Sequence, residues 1–261
     1  MPLAYYSVAA EQEFWTEHWG GQSVESLLAI ARTSPLTDLI TASLPAGGRV
    51  LEAGCGLGQY VLLLRERGWA AVGVDWSQPA LAACRRLAPA PLAAMELRAL
   101  AVRDGAFAGY VSLGVVEHDP AGPDAILAEA CRALESGGIA LVSVPYLNGV
   151  RRAAAPWIRY RNRATRRSGG RFYQYAFSRR ELVAALGRHG FAVRSLHPYD
   201  PARLLRPWLP AGARCATPGD GSGEGAARRI RGLRGLARRA LYTDSALRLL
   251  GHMLLAVAVK R

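Results

Sequence analysis

Residues 50–60 read Val-Leu-Glu-Ala-Gly-Cys-Gly-Leu-Gly-Gln-Tyr: an apolar strand runs into Gly54, Gly56 and Gly58, and a helix follows. Glycines at such a turn let the backbone bend tightly and approach a ligand closely. The spacing is G-x-G-x-G, whereas a dinucleotide fold wants G-x-G-x-x-G. Glu52 stands just before the loop, where a carboxylate repels a pyrophosphate and favours a ligand with a positive end. A second acid, Asp75, ends the next strand, twenty-three residues after Glu52. An acid at that place accepts both hydroxyls of a ribose.

Around this loop strands and helices alternate. Arg49–Glu52 and Ala70–Asp75 read as strands, Gly56–Arg67 and Gln78–Leu87 as helices. Glu96–Leu100 is a weak strand and Gly109–Leu113 a better one. Pro123–Leu134 reads as a helix stopped by Gly137-Gly138. Ile139–Val144 is a near-continuous apolar run, as in a parallel sheet covered on both faces. Ser178 opens a helix with Glu181 at the capping-box position and Gly190 after its end. Phe191–Leu196 and His252–Val259 complete the strands, and residues 1–45 read as helical, with Tyr5, Tyr6, Phe14, Trp15 and Trp19 in front.

A ligand bearing an ammonium and a sulfonium, as S-adenosylmethionine does, suits Glu52 and Asp75 together. LEAGCGLG, residues 51–58, resembles the first motif of the class I S-adenosylmethionine-dependent methyltransferases, and GVDWS, residues 73–77, their second. MELRALAVRDGAF, residues 95–107, is similar to their third-strand region, with Ala101 for the usual proline and Ala108 for the usual aspartate. YVSLGVVEH, residues 110–118, resembles the fourth-strand motif of the small-molecule branch, methyltransferase types 11 and 23. ALESGGIALVSVPY resembles the next helix, Gly-Gly turn and fifth strand, and Ser178–Val193 the helix and sixth strand after it. The likeness spans about residues 45–200 plus the final strand.

That resemblance implies an α/β, Rossmann-like sheet of seven strands, the last antiparallel, with helices on both faces. It implies methyl transfer as the activity and S-adenosylmethionine as the cofactor. Asp75 is then expected on the ribose, Trp76 against the adenine, Glu96 and Leu97 at the adenine edge, and Leu113 and Gly114 beside the methionine part. Glu52, Gly54, Cys55 and Gly56 complete the expected cofactor site.

The chain has 261 residues, 51% hydrophobic and 20% charged, which suits one large domain with a sizeable core and rules out wholesale disorder. Its net charge of +13 is divided. Residues 1–150 hold nine Lys and Arg against fifteen Asp and Glu, a net of −6, and residues 151–261 hold twenty-four against five, a net of +19. The expected plan is a single domain over 1–261: an N-terminal cap at 1–45, a cofactor core at 46–145, and lid insertions at 146–177 and 201–250. Both insertions leave the carboxyl ends of strands, where ligands sit in open α/β sheets, so a basic lid over the acceptor is expected. Cys55, Cys84, Cys131 and Cys215 show no metal-pair or redox-pair spacing, and no metal is expected. The amino terminus shows no signal-peptide pattern and no apolar run reaches the ~20 residues of a membrane span. A cytoplasmic protein fits, with peripheral membrane contact open through the amphipathic stretch Arg228–Leu241.

Gly114-Val115-Val116-Glu117-His118 stands where amino-methyltransferases of nucleic-acid bases carry an Asn/Asp-Pro-Pro-aromatic motif, which argues against such a base as acceptor. His118 is the candidate general base, set against a reading in which Glu117-His118 only shapes the pocket. Tyr146, Tyr173 and Tyr175 are candidates to orient a substrate, and Arg151, first of a run of eight arginines at 151, 152, 159, 161, 163, 166, 167 and 171, to bind an anion. The leading expectation is methylation at O or N of a small anionic or aromatic acceptor. The alternatives are a lipid or envelope precursor at a membrane surface, a peptide, and RNA.

Overall fold

A computed structural model describes residues 2–7, 12–201 and 240–261. Seven strands form one sheet in the order β4-β3-β2-β5-β6-β9-β8. They are β2 (Arg49–Ala53), β3 (Ala70–Asp75), β4 (Leu92–Ala94), β5 (Phe107–Leu113), β6 (Leu134–Pro145), β8 (Phe191–Tyr199) and β9 (Met253–Lys260). β9 runs antiparallel to both neighbours, β6 and β8, and the β2–β6 pairs are all parallel. The expected seven-stranded α/β sheet with an antiparallel last strand is therefore present. Successive residues of the central strands face opposite layers: Tyr110 and Val142 enter one core, Val111 and Leu141 the other. This two-sided burial explains why β5 and β6 read as continuous apolar runs.

The helices are α1 (Gln12–Gly20), α2 (Val24–Thr33), α3 (Pro35–Ser43), α4 (Gln59–Glu66), α5 (Gln78–Leu87), α6 (Asp124–Ala133), α7 (Gly149–Arg167), α8 (Arg179–Arg188) and α9 (Asp244–Leu250). α8 begins as the sequence predicts: Ser178 Oγ accepts the Glu181 N–H, and Glu181 accepts the Ser178 N–H at 2.9 Å.

Several boundaries differ from expectation. The first forty-five residues are not all helical: Leu3–Ser7 is a strand, β1, paired antiparallel with β7 (Arg171–Ala176) in a separate two-stranded sheet. Leu3 meets Ala176, a partner too distant in sequence for local pattern to reveal. The weak strand expected at Glu96–Leu100 is instead β4 at Leu92–Ala94. The ladder with β3 ends at Asp75–Ala94, and Glu96 turns back to accept the Arg98 N–H at 3.2 Å. The helix expected from Gly56 starts at Gln59, because Gly56 and Gly58 have φ of +53° and +69°. α6 stops at Ala133, and the Gly137-Gly138 pair lies inside β6 rather than ending the helix. The segment 146–177 is an ordered helix and strand, α7 and β7. Cys215, the loop 217–225 and nearly all of Arg228–Leu241 lie outside the described residues.

Candidate active site

β2 and β5 lie side by side at the centre, with β3 and β4 to one side and β6 to the other, so the chain reverses its direction of travel there. Such a switch point leaves a crevice beyond the strands' carboxyl ends. The loop after β2 closes it below. Gly54 and Cys55 donate their N–H groups to the Val74 carbonyl at 2.8 and 3.0 Å, which ties the loop to β3. Gly54 has φ of +77°, and a Cβ there would come within 2.5 Å of Val115, so no larger residue fits.

Asp75 organises the turn from the other side. Its Oδ2 accepts the Gly56 N–H at 2.8 Å and its Oδ1 the Ser77 N–H at 2.9 Å. Burial raises the pKa of this carboxyl, and the N–H groups of Ser77, Gly56 and Trp76 oppose that rise. Glu52 is buried, its Oε2 has no hydrogen-bond partner, and it faces a cavity. Burial lifts its carboxyl well above the usual range, against the Val61 N–H, and the nearby Asp75 charge adds to the rise. An orphaned buried carboxylate is costly unless a donor or cation reaches it.

The cavity measures about 430 Å³, within the usual range for small-molecule sites of about 300–1,000 Å³. Glu52, Gly54, Cys55, Asp75, Trp76, Glu96, Leu97, Leu113, Gly114 and His118 all line it. Gly56 does not line it, because the Trp19 indole covers it. Gln12, Gln59, Tyr60, Met95, Arg98, Val115, Asp119, Pro120 and Ile126 also line the wall, with no motif to mark them, and so do Trp15 and Trp19, which the sequence shows only as part of an aromatic N-terminal cluster. The spacing of Trp15 and Trp19, one helical turn apart, is the one available signal for that lid face.

The roof is α1. Gln12 Nε2 donates to the Trp76 carbonyl at 2.8 Å, and Thr16 Oγ1 lies 3.3 Å from Ser77 Oγ, so the helix is clipped beside Asp75. Trp15 stacks edge-on against the His118 ring at 4.8 Å. His118 Nδ1 donates to the Tyr173 carbonyl at 2.8 Å, which leaves Nε2 as the acceptor nitrogen of a neutral ring. Burial pushes the His118 pKa down to about 4, with the Tyr173 hydrogen bond opposing. Beneath it, Glu117 Oε1 lies 3.9 Å from Nε2. Burial raises Glu117 to about 8, so it is held as the neutral acid near pH 7.

The four residues expected to touch substrate stand behind this wall rather than on it. Tyr146 is buried in the core. Arg151 donates to the Tyr146 and His252 carbonyls at 2.7 and 2.9 Å and to His252 Nδ1 at 2.9 Å. The Tyr175 hydroxyl donates to the Pro120 carbonyl at 2.9 Å. Tyr173 packs on Phe14 and His118 with ring centres 6.0 and 5.2 Å away. Among the described residues, neither 146–177 nor 240–250 contributes to the cavity wall, so the expected basic lid is not found there. The segment 146–177 braces the aromatic lid from outside.

A methyltransferase-domain family model matches residues 28–196. No curated protein matches the chain. Three solved structures share the fold. An S-adenosylmethionine-dependent methyltransferase from Mesorhizobium loti is 17% identical with a TM-score of 0.57, over 88% of this chain and 100% of that one. One from Archaeoglobus fulgidus is 17% identical with a TM-score of 0.57, over 96% and 100%. A Thermotoga maritima protein described as a possible histamine N-methyltransferase is 18% identical with a TM-score of 0.56, over 96% and 97%. The matched span holds the glycine loop, Asp75 and the whole β2–β6 half of the sheet, and the chain belongs to the methyltransferase-domain family as a class I enzyme that uses S-adenosylmethionine.

Proposed function

We propose that the enzyme methylates a hydroxyl or amine of a small aromatic molecule held between α1 and the loop after β5. When bound, S-adenosylmethionine would supply a methyl carbon activated on a sulfonium, to which a lone pair of the acceptor forms a new bond as the carbon–sulfur bond breaks and S-adenosylhomocysteine leaves as the neutral thioether. Asp75 takes the ribose hydroxyls, Glu52 faces the cationic methionine end, and Trp76, Glu96 and Leu97 hold the adenine. Gly54, Cys55, Leu113 and Gly114 give the backbone its close approach, and Gly56, under the Trp19 indole, braces the loop. The orphaned Glu52 Oε2 supports this fit, since a cation or donor there satisfies it.

One observation carries the acceptor reading: Trp15, Trp19 and His118 wall the same cavity, with Trp15 4.8 Å from the imidazole. Aromatic walls with few polar groups favour a flat apolar ligand. Arg98 is the one Lys or Arg on the described wall, and its side chain donates to Glu96 at 3.2 Å, which weakens the case for an anionic acceptor. His118, neutral at working pH, accepts the acceptor's O–H or N–H hydrogen at Nε2 and takes the proton freed when the new bond forms. The test is radiolabelled methyl transfer to a panel of phenols, aromatic amines, aliphatic acids, RNA and peptides. Labelling of phenols or aromatic amines is expected, and labelling confined to RNA, peptide or aliphatic acids rejects the reading.

A further inference from the structure

Helix α7 carries an apolar stripe that no described residue covers. Val150, Ala153, Trp157, Tyr160 and Ala164 recur at i, i+3, i+7, i+10 and i+14, which sets them on one face. All five are exposed, Val150 at 43%, Trp157 at 58% and Tyr160 at 69%. Leu249 of α9, 51% exposed, lies against Gly149 at the start of the helix and extends the stripe. The inner face is packed: Ala155 is buried, Asn162 donates to the Ala4 carbonyl at 2.6 Å, and Arg166 sits 5.1 Å over the Tyr6 ring.

Arginines edge the stripe. Helical spacing places Arg152, Arg159, Arg163 and Arg167 along one flank. On the other, Arg161 lies 4.9 Å over the Trp157 ring. The helix contains no acidic residue, and among the described residues none of these five arginines has a carboxylate partner. A second copy of α7 laid on this face would set arginine against arginine. Nucleic acid would neutralise the charge yet leave Val150 and Leu249 without an apolar partner. A bilayer with anionic headgroups satisfies both, with guanidinium groups at the phosphates and Trp157, Val150 and Leu249 at the acyl boundary.

We propose that α7 docks the protein on an anionic membrane surface. The docked face is joined to the cavity: α7 holds β1 through Asn162, β1 pairs with β7, and β7 sets Tyr173 against Phe14 and His118. This docking is independent of the acceptor's identity.

The experiment is co-sedimentation of the full chain with vesicles of equal parts phosphatidylglycerol and phosphatidylcholine, against phosphatidylcholine alone. Retention is expected on the anionic vesicles only. Trp157→Glu/Tyr160→Glu is expected to reduce it at least about tenfold, and Arg159→Ala/Arg163→Ala about thirtyfold. Titration with S-adenosylhomocysteine verifies that each variant folds. Failure of anionic vesicles to retain the wild type overturns the proposal. So does undiminished retention of both folded variants, or variants that lose only binding to single-stranded RNA or self-association while vesicle retention persists.

Discussion

A Cβ on Gly56 would lie 2.5 Å from Cζ2 of Trp19, so the lid's indole rests on bare backbone of the glycine loop. Lid and loop are thereby one structural unit. Gly56→Ala forces the indole to shift and imposes φ of +53° on a residue with a side chain, a strain of about 1–2 kcal/mol. Its melting temperature is expected to fall by a few degrees, read by calorimetry, and its affinity for S-adenosylhomocysteine at least about tenfold, as 1.4 kcal/mol implies. Trp19→Ala is expected to weaken the same affinity and also to lower thermal stability, because the indole packs against the core.

Trp15 packs edge-on against His118 and so contributes to its burial. With the indole 4.8 Å away, the imidazole is largely shielded from water, and that desolvation depresses its pKa to about 4. Trp15→Ala admits water, and the imidazole resonances followed by NMR are expected to titrate closer to 6.5, the ordinary histidine value. An unchanged titration would show that the indole is not the source of the depression.

If His118 takes the acceptor's proton, His118→Ala lowers kcat about 100-fold, at the low end for general-base catalysis. Affinity for S-adenosylhomocysteine stays within about threefold, because a positioning role in the cofactor pocket would move affinity and rate together. Normal turnover by the variant rejects the base role.

Glu117 and His118 make folding stability depend on pH in opposite directions. Glu117 is raised from 4.5 to about 8, so its stabilising contribution is full below pH 4.5 and is lost as pH rises to about 8. His118 is lowered from 6.5 to about 4, so its contribution is full above pH 6.5 and is lost as pH falls to about 4. Between about 4.5 and 6.5 the slopes of this pair cancel, and between 6.5 and 8 the Glu117 loss remains, with the raised Glu52 carboxyl acting in the same direction. Urea unfolding across that range is expected to show a plateau followed by a decline. Glu117→Gln makes the decline shallower; a wild-type curve that rises from pH 6.5 to 8 contradicts it.

Arg132 holds the segment that carries Glu96 and Leu97. Its guanidinium donates to the Leu100 and Val102 carbonyls and to Asp104, each at 2.7 Å, and to Glu129 at 2.8 Å. Arg132→Ala leaves two carbonyls unpaired, and a cost of about 2 kcal/mol is expected in urea unfolding. Cofactor affinity is expected to fall with it, since residues 96–98 line the cavity.

The cofactor half of the molecule was legible because its determinants are local. Glu52, the glycine loop and Asp75 lie within twenty-four residues, and β2, β3, β5 and β6 are buried on both faces along most of their length, so burial appears directly as apolar runs. The cap of α8 was legible for the same reason: Ser178 and Glu181 are one helical turn apart. The pairing of Leu3 with Ala176 was hidden, since nothing near either residue encodes its partner. With it β7 sets Tyr173 against Phe14 and Tyr175 on the Pro120 carbonyl, while α1, clipped to Trp76 and Ser77, rather than the arginine-rich segment, is the described roof of the cavity. Counting charge could not reveal this, because net charge does not say which face of a helix meets the cavity.

The most direct test of the account is isothermal titration of the full chain with S-adenosylhomocysteine, in parallel for wild type and Asp75→Ala. Wild type is expected to bind one-to-one and the variant at least about tenfold more weakly, the loss of one charge-assisted hydrogen-bonding site of about 1.5–3 kcal/mol. No heat of binding with the wild type, or equal affinity in the two proteins, would contradict it.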